Sequence, residues 1–190
     1  MGVIVRSWEQ RWSRLAPPEM RTMLNKADIL ANQALEPAIR EGLIKGATVV
    51  TYFQKATHVR IIPYAPVAFI SLPLTALTSP QDLLAIPHEV GHYVYRHGRV
   101  RTGKLKGSRF EAALTQRLVD QTPWGQAWLE EIFADVYGGL VGGPVMALGF
   151  EDLVTANRRD ELTHDDGEHP VAALRPATYH TIFKAMGGFE

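Results

Sequence analysis

The sequence predicts an α+β fold, mainly helical with a small, largely antiparallel sheet, and three observations carry that expectation. Between Pro17 and Leu35 the apolar residues Met20, Met23, Leu24, Ala27, Leu30, Ala31, Ala34 and Leu35 recur at helical spacing, with Pro17 and Pro18 suited to a first turn. The next stretches, ATVVTYF and HVRIIPYAPVAFISLPL, are rich in Val, Ile and aromatics in short runs and read as three strands. From Ser79 onward helical signals dominate to the end of the chain.

Taken in order, Pro37 is expected to break or kink the first amphipathic helix, because proline has no N–H to give to the preceding turn. Pro63 and Pro66 cannot donate to a ladder, so the strand near Val67 to Leu72 is expected at a sheet edge. The segment from Ser79-Pro80 to Gly98 reads as helix, kinked or restarted at Pro87. A basic loop, Arg99 to Lys106, precedes a helix over Ser108 to Val119, and Thr122-Pro123 opens another that runs to about Leu140. The polar stretch Arg158 to Glu168 reads as a loop, and Pro170 to Met186 as a final packed helix.

With 190 residues, 46% of them hydrophobic, the chain can bury one sizeable core, and residues 1–190 are expected to form a single domain. Equal numbers of basic and acidic residues leave no overall field favouring nucleic acid, and no nucleic-acid partner is expected. The N-terminal apolar run is interrupted by Arg6 and lacks a cleavage site, and Gly138 to Phe150 is too short to span a bilayer. A soluble, cytoplasmic protein without a membrane span is the resulting expectation. No cysteine is present, so any metal must be held by nitrogen and oxygen.

The chemistry concentrates in IPHEVGHYVYRHG, Ile86 to Gly98. His88-Glu89-Val90-Gly91-His92 is an H-E-x-x-H sequence on an expected helix. Four residues of helix turn the second histidine only about 40° from the first, so both imidazoles can reach one ion. Glu89, between them in sequence, is placed to touch a water on that ion and act as general base. His97 lies about 180° from His88 and cannot share the ion. It is read as a structural residue near the last carbonyls of the helix. Two helical histidines that merely cover a surface are the plain alternative.

A catalytic zinc site usually takes three protein ligands. Glu130 and Glu131 are both available on the next long helix, and they differ in what stands one turn later: Asp135 follows Glu131, whereas Ala134 follows Glu130. Because a metal-bound histidine donates its other N–H to a carboxylate or carbonyl, Glu131 is read as the third ligand and Asp135 as the orienter of a histidine. A solvated acidic face is the competing reading.

H-E-x-x-H followed by E-I-F-A-D resembles the gluzincin class of zinc metallopeptidases, and the E-x-x-A-D form resembles minigluzincins and the soluble core of HtpX-like membrane peptidases. The match covers His88 to Asp135. It implies a zincin-like domain, bound Zn2+, a protein or peptide substrate held along an edge strand upstream of the metal helix, and peptide-bond hydrolysis by metal-activated water with Glu89 as base. Pro87 immediately before His88 departs from the class, as does the lack of the transmembrane segments of HtpX-like enzymes.

The cluster His164-Asp165-Asp166-Gly167-Glu168-His169-Pro170 with Arg175 resembles the H-P…R segment of HtpX-like peptidases. That resemblance implies that His169 or Arg175 stabilises the oxyanion, or that Arg175 fixes the loop through a carboxylate. A hydrated loop capping a proline-started helix is the alternative, and a separate metal site of His164, Asp166 and His169 a minor one. Tyr93, Tyr95 and Tyr137 are read as packing residues with a polar tip. For function as a whole, the rivals to a peptidase are a zinc-stabilised binding or regulatory module with little turnover, because ligands alone do not establish catalysis, and a metal-free interaction protein whose motif is accidental.

Overall fold

The computed structural model describes residues 2–54, 58–61, 66–118, 125–155, 163–164, 167 and 169–187. Among the described residues, six α-helices and three strands follow one another in the order α1 (Gly2–Trp12), α2 (Pro18–Arg40), β1 (Thr48–Gln54), β2 (His58–Ile61), β3 (Val67–Pro73), α3 (Ile86–His97), α4 (Phe110–Leu118), α5 (Gly125–Thr155) and α6 (Arg175–Ala185). Short 3-10 turns at Leu74–Leu77, Pro80–Ala85 and Ala172–Leu174 complete the path.

The α+β class and the predominance of helix are as the sequence predicts, but the sheet is not largely antiparallel. Its order is β1-β3-β2, with the longer pairing, β1 to β3, parallel over seven residues from Thr48↔Val67 to Gln54↔Pro73. Only β2 runs antiparallel to β3. The expected edge strand is therefore the central one. Its prolines do not prevent this: Pro66 precedes the strand and serves it as an acceptor, taking the Thr48 N–H at 3.0 Å, and Pro73 closes it.

β1 and β2 form the two edges, and they are treated differently. The outward-facing backbone of β1 is satisfied by side chains. Asn32 bonds both the N–H and the carbonyl of Val49 (3.0 and 2.9 Å), Asp28 accepts from the Thr51 N–H (2.7 Å), and Gln10 bonds the N–H and carbonyl of Phe53 (2.7 and 2.9 Å). Three polar side chains from α1 and α2 thus stand in for a missing strand and close that edge to pairing. No such ladder lies along β2 among the described residues.

The helix α2 runs three residues past Pro37 instead of breaking there. Proline's φ suits a helix and the one donor it lacks falls in the last turns, where burial of Ala38 holds the chain in register. The core lies between α2, the inner face of the sheet and α3: Leu24, Ala31 and Leu35 meet Val49, Phe53, Ile70 and Leu72 on one side and Ile86, Val90 and Val94 on the other. Tyr137 of α5 reaches the same core and donates its hydroxyl to the Ala34 carbonyl at 2.7 Å; burial pushes this phenol up to about 12.

Pro87 restarts the chain as helix at α3, following the 3-10 turn, with its ring in the first turn where no N–H is missed. Against α3 lies α5, broken at Gly143, whose φ of 67° only glycine adopts readily, before Pro144 starts the second half. Trp128–Gly149 reaches the length and apolarity of a membrane span, with a mean hydropathy of 1.4, because the apolar run begins well before Gly138. In this structure it is bent at Gly143 and buries Leu129, Ala134, Tyr137, Met146 and Ala147 against its neighbours. The N-terminal helix α1 and the continuation of α5 to Thr155 extend beyond the helices that periodicity predicts. The expected helix start at Thr122-Pro123, and 158–162 together with Asp165, Asp166 and Glu168 of the expected polar loop, lie outside the described residues.

α3 and α5 touch backbone to side without a spacer. A Cβ on Gly91 would stand 2.8 Å from the Ala134 Cα, and one on Gly138 would stand 3.2 Å from the His88 Cα. Small residues at 91, 134 and 138 set the depth of this contact. Gly91→Ala should therefore destabilise the fold by about 1–3 kcal/mol in urea titrations, although alanine is the better helix former, because two helices must part to admit the methyl. A gain in stability would show that the contact is looser than described.

Candidate metal centre

The two histidines of α3 and three carboxylates of α5 meet across that contact. His88 Nε2 and His92 Nε2 are 3.1 Å apart. The carboxylate of Glu131 completes a triangle, with Oε2 at 3.4 Å from His88 Nε2 and Oε1 at 3.4 Å from His92 Nε2. These three residues form one cluster of potential ligand atoms, all within 4.8 Å of one another.

The other nitrogen of each ring is held by a different acid. His88 Nδ1 lies 2.9 Å from Asp135 Oδ1, and His92 Nδ1 lies 2.9 Å from Glu130 Oε1. With the Nδ1 of each ring beside a carboxylate, both Nε2 atoms face the same point as the Glu131 oxygens. Two imidazole nitrogens and a carboxylate converge on one spot, where a proton on His88 or a cation offsets the repulsion among them. Ligands placed tetrahedrally at about 2.0–2.1 Å from an ion are about 3.3 Å apart, close to the observed edges. The donor set therefore fits a metal ion, and His88, His92 and Glu131 can bind one.

Each orienting carboxylate is in turn neutralised. Glu130 accepts from Arg96 Nε at 2.8 Å. Asp135 accepts a two-pronged bond from Arg175 (Nε at 2.8 Å, an Nη at 2.7 Å) and a third from the Tyr179 hydroxyl at 3.0 Å. Burial alone would raise the Asp135 carboxyl, but the bonds to His88 and Arg175 hold it down at about 2. Glu131 behaves alike: burial opposes its charge, and His88, His92 and Arg175 more than offset that, leaving it below the usual carboxylate range. For His88 burial works against the proton, yet Asp135 and Glu131 raise it to about 9.

Glu89 is buried in the first turn of α3, one residue from His88. Arg175 sits in the first turn of α6, buried, with its guanidinium engaged by Asp135 and 3.6 Å from Glu131 Oε2. Of the roles its resemblance implies, the geometry corresponds to fixing a segment through a carboxylate. His169 is half exposed at the rim, with Nε2 3.9 Å from Glu131 Oε1. His164 is exposed and Asp166 lies outside the described residues. His97 stacks on Tyr93, ring centroids 4.5 Å apart, away from the cluster.

Three contributors escape the motif: Glu130, Arg96 and Tyr179. Glu130 has no acid one turn after it to mark it, and its use is to orient His92. The doubled glutamate and an arginine four residues after His92 were the available signals. Tyr179 leaves no trace beyond its place one turn after Arg175.

Fold and site together define an α+β protein with a cluster of two histidines and a glutamate, between two tightly packed helices, that could hold a metal ion. No family model matches the chain, nor does any curated protein or solved structure.

Two predictions rest on this geometry. The metal-free His88 carries a proton at neutral pH, so an ion entering at pH 7 must displace about one proton, and its affinity should fall about tenfold per unit as pH drops below about 9. Calorimetry in buffers of different ionisation enthalpy measures that release; equal affinity at pH 6 and pH 8 would contradict it. Arg175→Ala strands the buried Asp135 charge and should cost about 3–5 kcal/mol in chemical unfolding, with Arg175→Lys recovering only part.

Proposed function

We propose that this protein is a zinc-dependent metallopeptidase. The observation that carries the reading is the triangle of His88 Nε2, His92 Nε2 and the Glu131 carboxylate, with Glu89 buried on the same helix between the two histidines. Nitrogen and oxygen donors without thiolate, three protein ligands and tetrahedral spacing suit zinc with one position open. When bound, zinc supplies Lewis acidity, lowering the pKa of water toward neutrality and polarising a scissile carbonyl.

The chain's own residues do the rest. Glu89 takes a proton from the attacking water as its oxygen adds to the carbonyl carbon, then returns that proton to the nitrogen as the C–N bond breaks. Asp135 and Glu130 hold the two imidazoles in the tautomer that presents Nε2, and Arg175 and Arg96 keep those acids ionised. His169, at the rim beside Glu131, is placed to meet the carbonyl oxygen as it gains charge.

An extended peptide would be held by main-chain bonds along β2, the sheet edge along which no side-chain ladder lies among the described residues and the one against which α3 packs. Sequence-tolerant endopeptidase activity on unfolded chains follows from that mode. A purely structural metal site would have no use for a carboxylate at position 89, which favours this reading over a zinc-stabilised binding module.

Metal content and casein cleavage, measured together, test it. Glu89→Gln should keep one zinc per chain while turnover falls at least about 10³-fold, and His88→Ala should lose both. Full activity in Glu89→Gln would remove Glu89 as base, and zinc without cleavage in the unaltered protein would leave the binding module.

A further inference from the structure

His88, His92 and Arg96 form a row on α3, each one turn along and about 40° around from the last. Their side chains open toward solvent along that row, 5% exposed at His88, 11% at His92 and 48% at Arg96. The first two belong to the metal centre. The third stands at its solvent end, and a single oxygen joins it to the centre: Glu130 Oε1 lies 2.9 Å from His92 Nδ1 and 2.8 Å from Arg96 Nε. Those two contacts hold Arg96 Nε within about 10 Å of the point where the two Nε2 atoms converge, a span of about three residues of extended peptide.

The two arginines of the cluster are used differently. Arg175 is buried and gives Asp135 both Nε and an Nη, a side-on pair that fills one edge of the guanidinium. Arg96 gives Glu130 only Nε, and its Nη atoms have no partner among the described residues. All the Nη hydrogens therefore remain, on a half-exposed group that Glu130 already orients. That outer edge matches the two oxygens of a carboxylate. The chain beyond Arg96 has the same sign: residues 99–109 (RVRTGKLKGSR) hold five basic residues and no acid, and all five are exposed. Among the described residues none of the five meets a carboxylate, and Arg99 and Arg101 donate to the carbonyls of Gly107 and Glu41. His97 is depressed first by burial and then by Arg109 and Arg96, so both arginines act at this end of α3. Glu111, exposed in the first turn of α4, is an acid that opposes them there.

We propose that Arg96 is a specificity-determining residue that takes a carboxylate of the substrate on its Nη atoms, so that chains bearing a carboxylate within a few residues of the cleaved bond are preferred. The assignment rests on the peptidase reading. Main-chain bonding along a strand edge tolerates sequence, and Arg96 adds one preference to it. The carboxylate belongs to an Asp or Glu side chain or to the end of a chain. The basic residues of 99–109 draw acidic chains by long-range attraction, and Arg96 fixes one carboxylate by hydrogen bonds.

Peptide binding tests it. Two unstructured peptides, identical except that one carries Glu wherever the other carries Gln, are labelled with an uncharged dye and made with free and with amidated C-termini. They are titrated by fluorescence anisotropy against the zinc-loaded Glu89→Gln protein, which leaves them uncut. A carboxylate should tighten binding at least about fivefold, less so in high salt. The Glu and Gln pair reads a side-chain carboxylate, and the free and amidated pair reads a chain end. Adding Arg96→Gln keeps a donor for Glu130, removes the charge and should bring the affinities together. A residue that only positions His92 would weaken every peptide alike and leave their ratio. Equal binding of all four peptides by the protein that retains Arg96 would overturn the proposal, as would a preference that survives Arg96→Gln. Cleavage by the unaltered protein separates the two readings: cleavage without a preference for carboxylates sinks the role of Arg96 alone, whereas Arg96-dependent binding without cleavage sinks the peptidase and keeps Arg96 as a carboxylate site.

Discussion

Everything chemical in this molecule depends on how closely α3 approaches α5. The ligand and orienting groups are short side chains on two helices, and they meet only because Gly91 lies on Ala134 and Gly138 on the His88 backbone. With ordinary side chains in those places the axes would stand further apart, and neither Asp135 nor Glu130 would reach an imidazole. The small residues of H-E-V-G-H and E-I-F-A-D are thus as much a part of the site as its histidines. They set the distance, and the acids and imidazoles exploit it.

That closeness concentrates charge where water is scarce. Three carboxylates within six residues of α5 would repel each other and unfold the contact if left alone. Each is instead matched: Glu130 by Arg96 and His92, Glu131 by both histidines, Asp135 by Arg175, Tyr179 and His88. Placing Arg175 there requires α6, which packs Tyr179, Ile182 and Phe183 against Met146 and Ala147 in the second half of α5. The break at Gly143 turns that half so that one long segment can serve both α3 and α6. A remote helix thereby becomes a support of the metal centre.

The sheet is partitioned by the same economy of polar groups. One edge is closed by Asn32, Asp28 and Gln10, and the helix that lends Gln10 turns its apolar side outward as a result. The other edge, β2, lies beside the metal helix. The two edges thus differ in character: beyond the closed one, Trp8 and Trp12 of α1 are exposed.

Local physics was legible in the chain. Helical periodicity placed His88 and His92 on one face, the three β-rich runs became three strands, and Asp135 one turn after Glu131 marked an acid close to the ligands. What failed was whatever depends on neighbours. Pro66 looked like the mark of an edge strand and proved to be the acceptor that starts a central one; Pro37 looked like a helix end and was carried by the burial of Ala38. Glu130 looked idle because its partner, His92, is thirty-eight residues away. The sequence by itself determined which atoms could bind a metal and along which helix they align, since those follow from a period of about 3.6 residues. Only the tertiary structure decided which acid serves which histidine, which arginine neutralises which acid and which side chains close the β1 edge, because these are set by contacts between segments far apart in the chain.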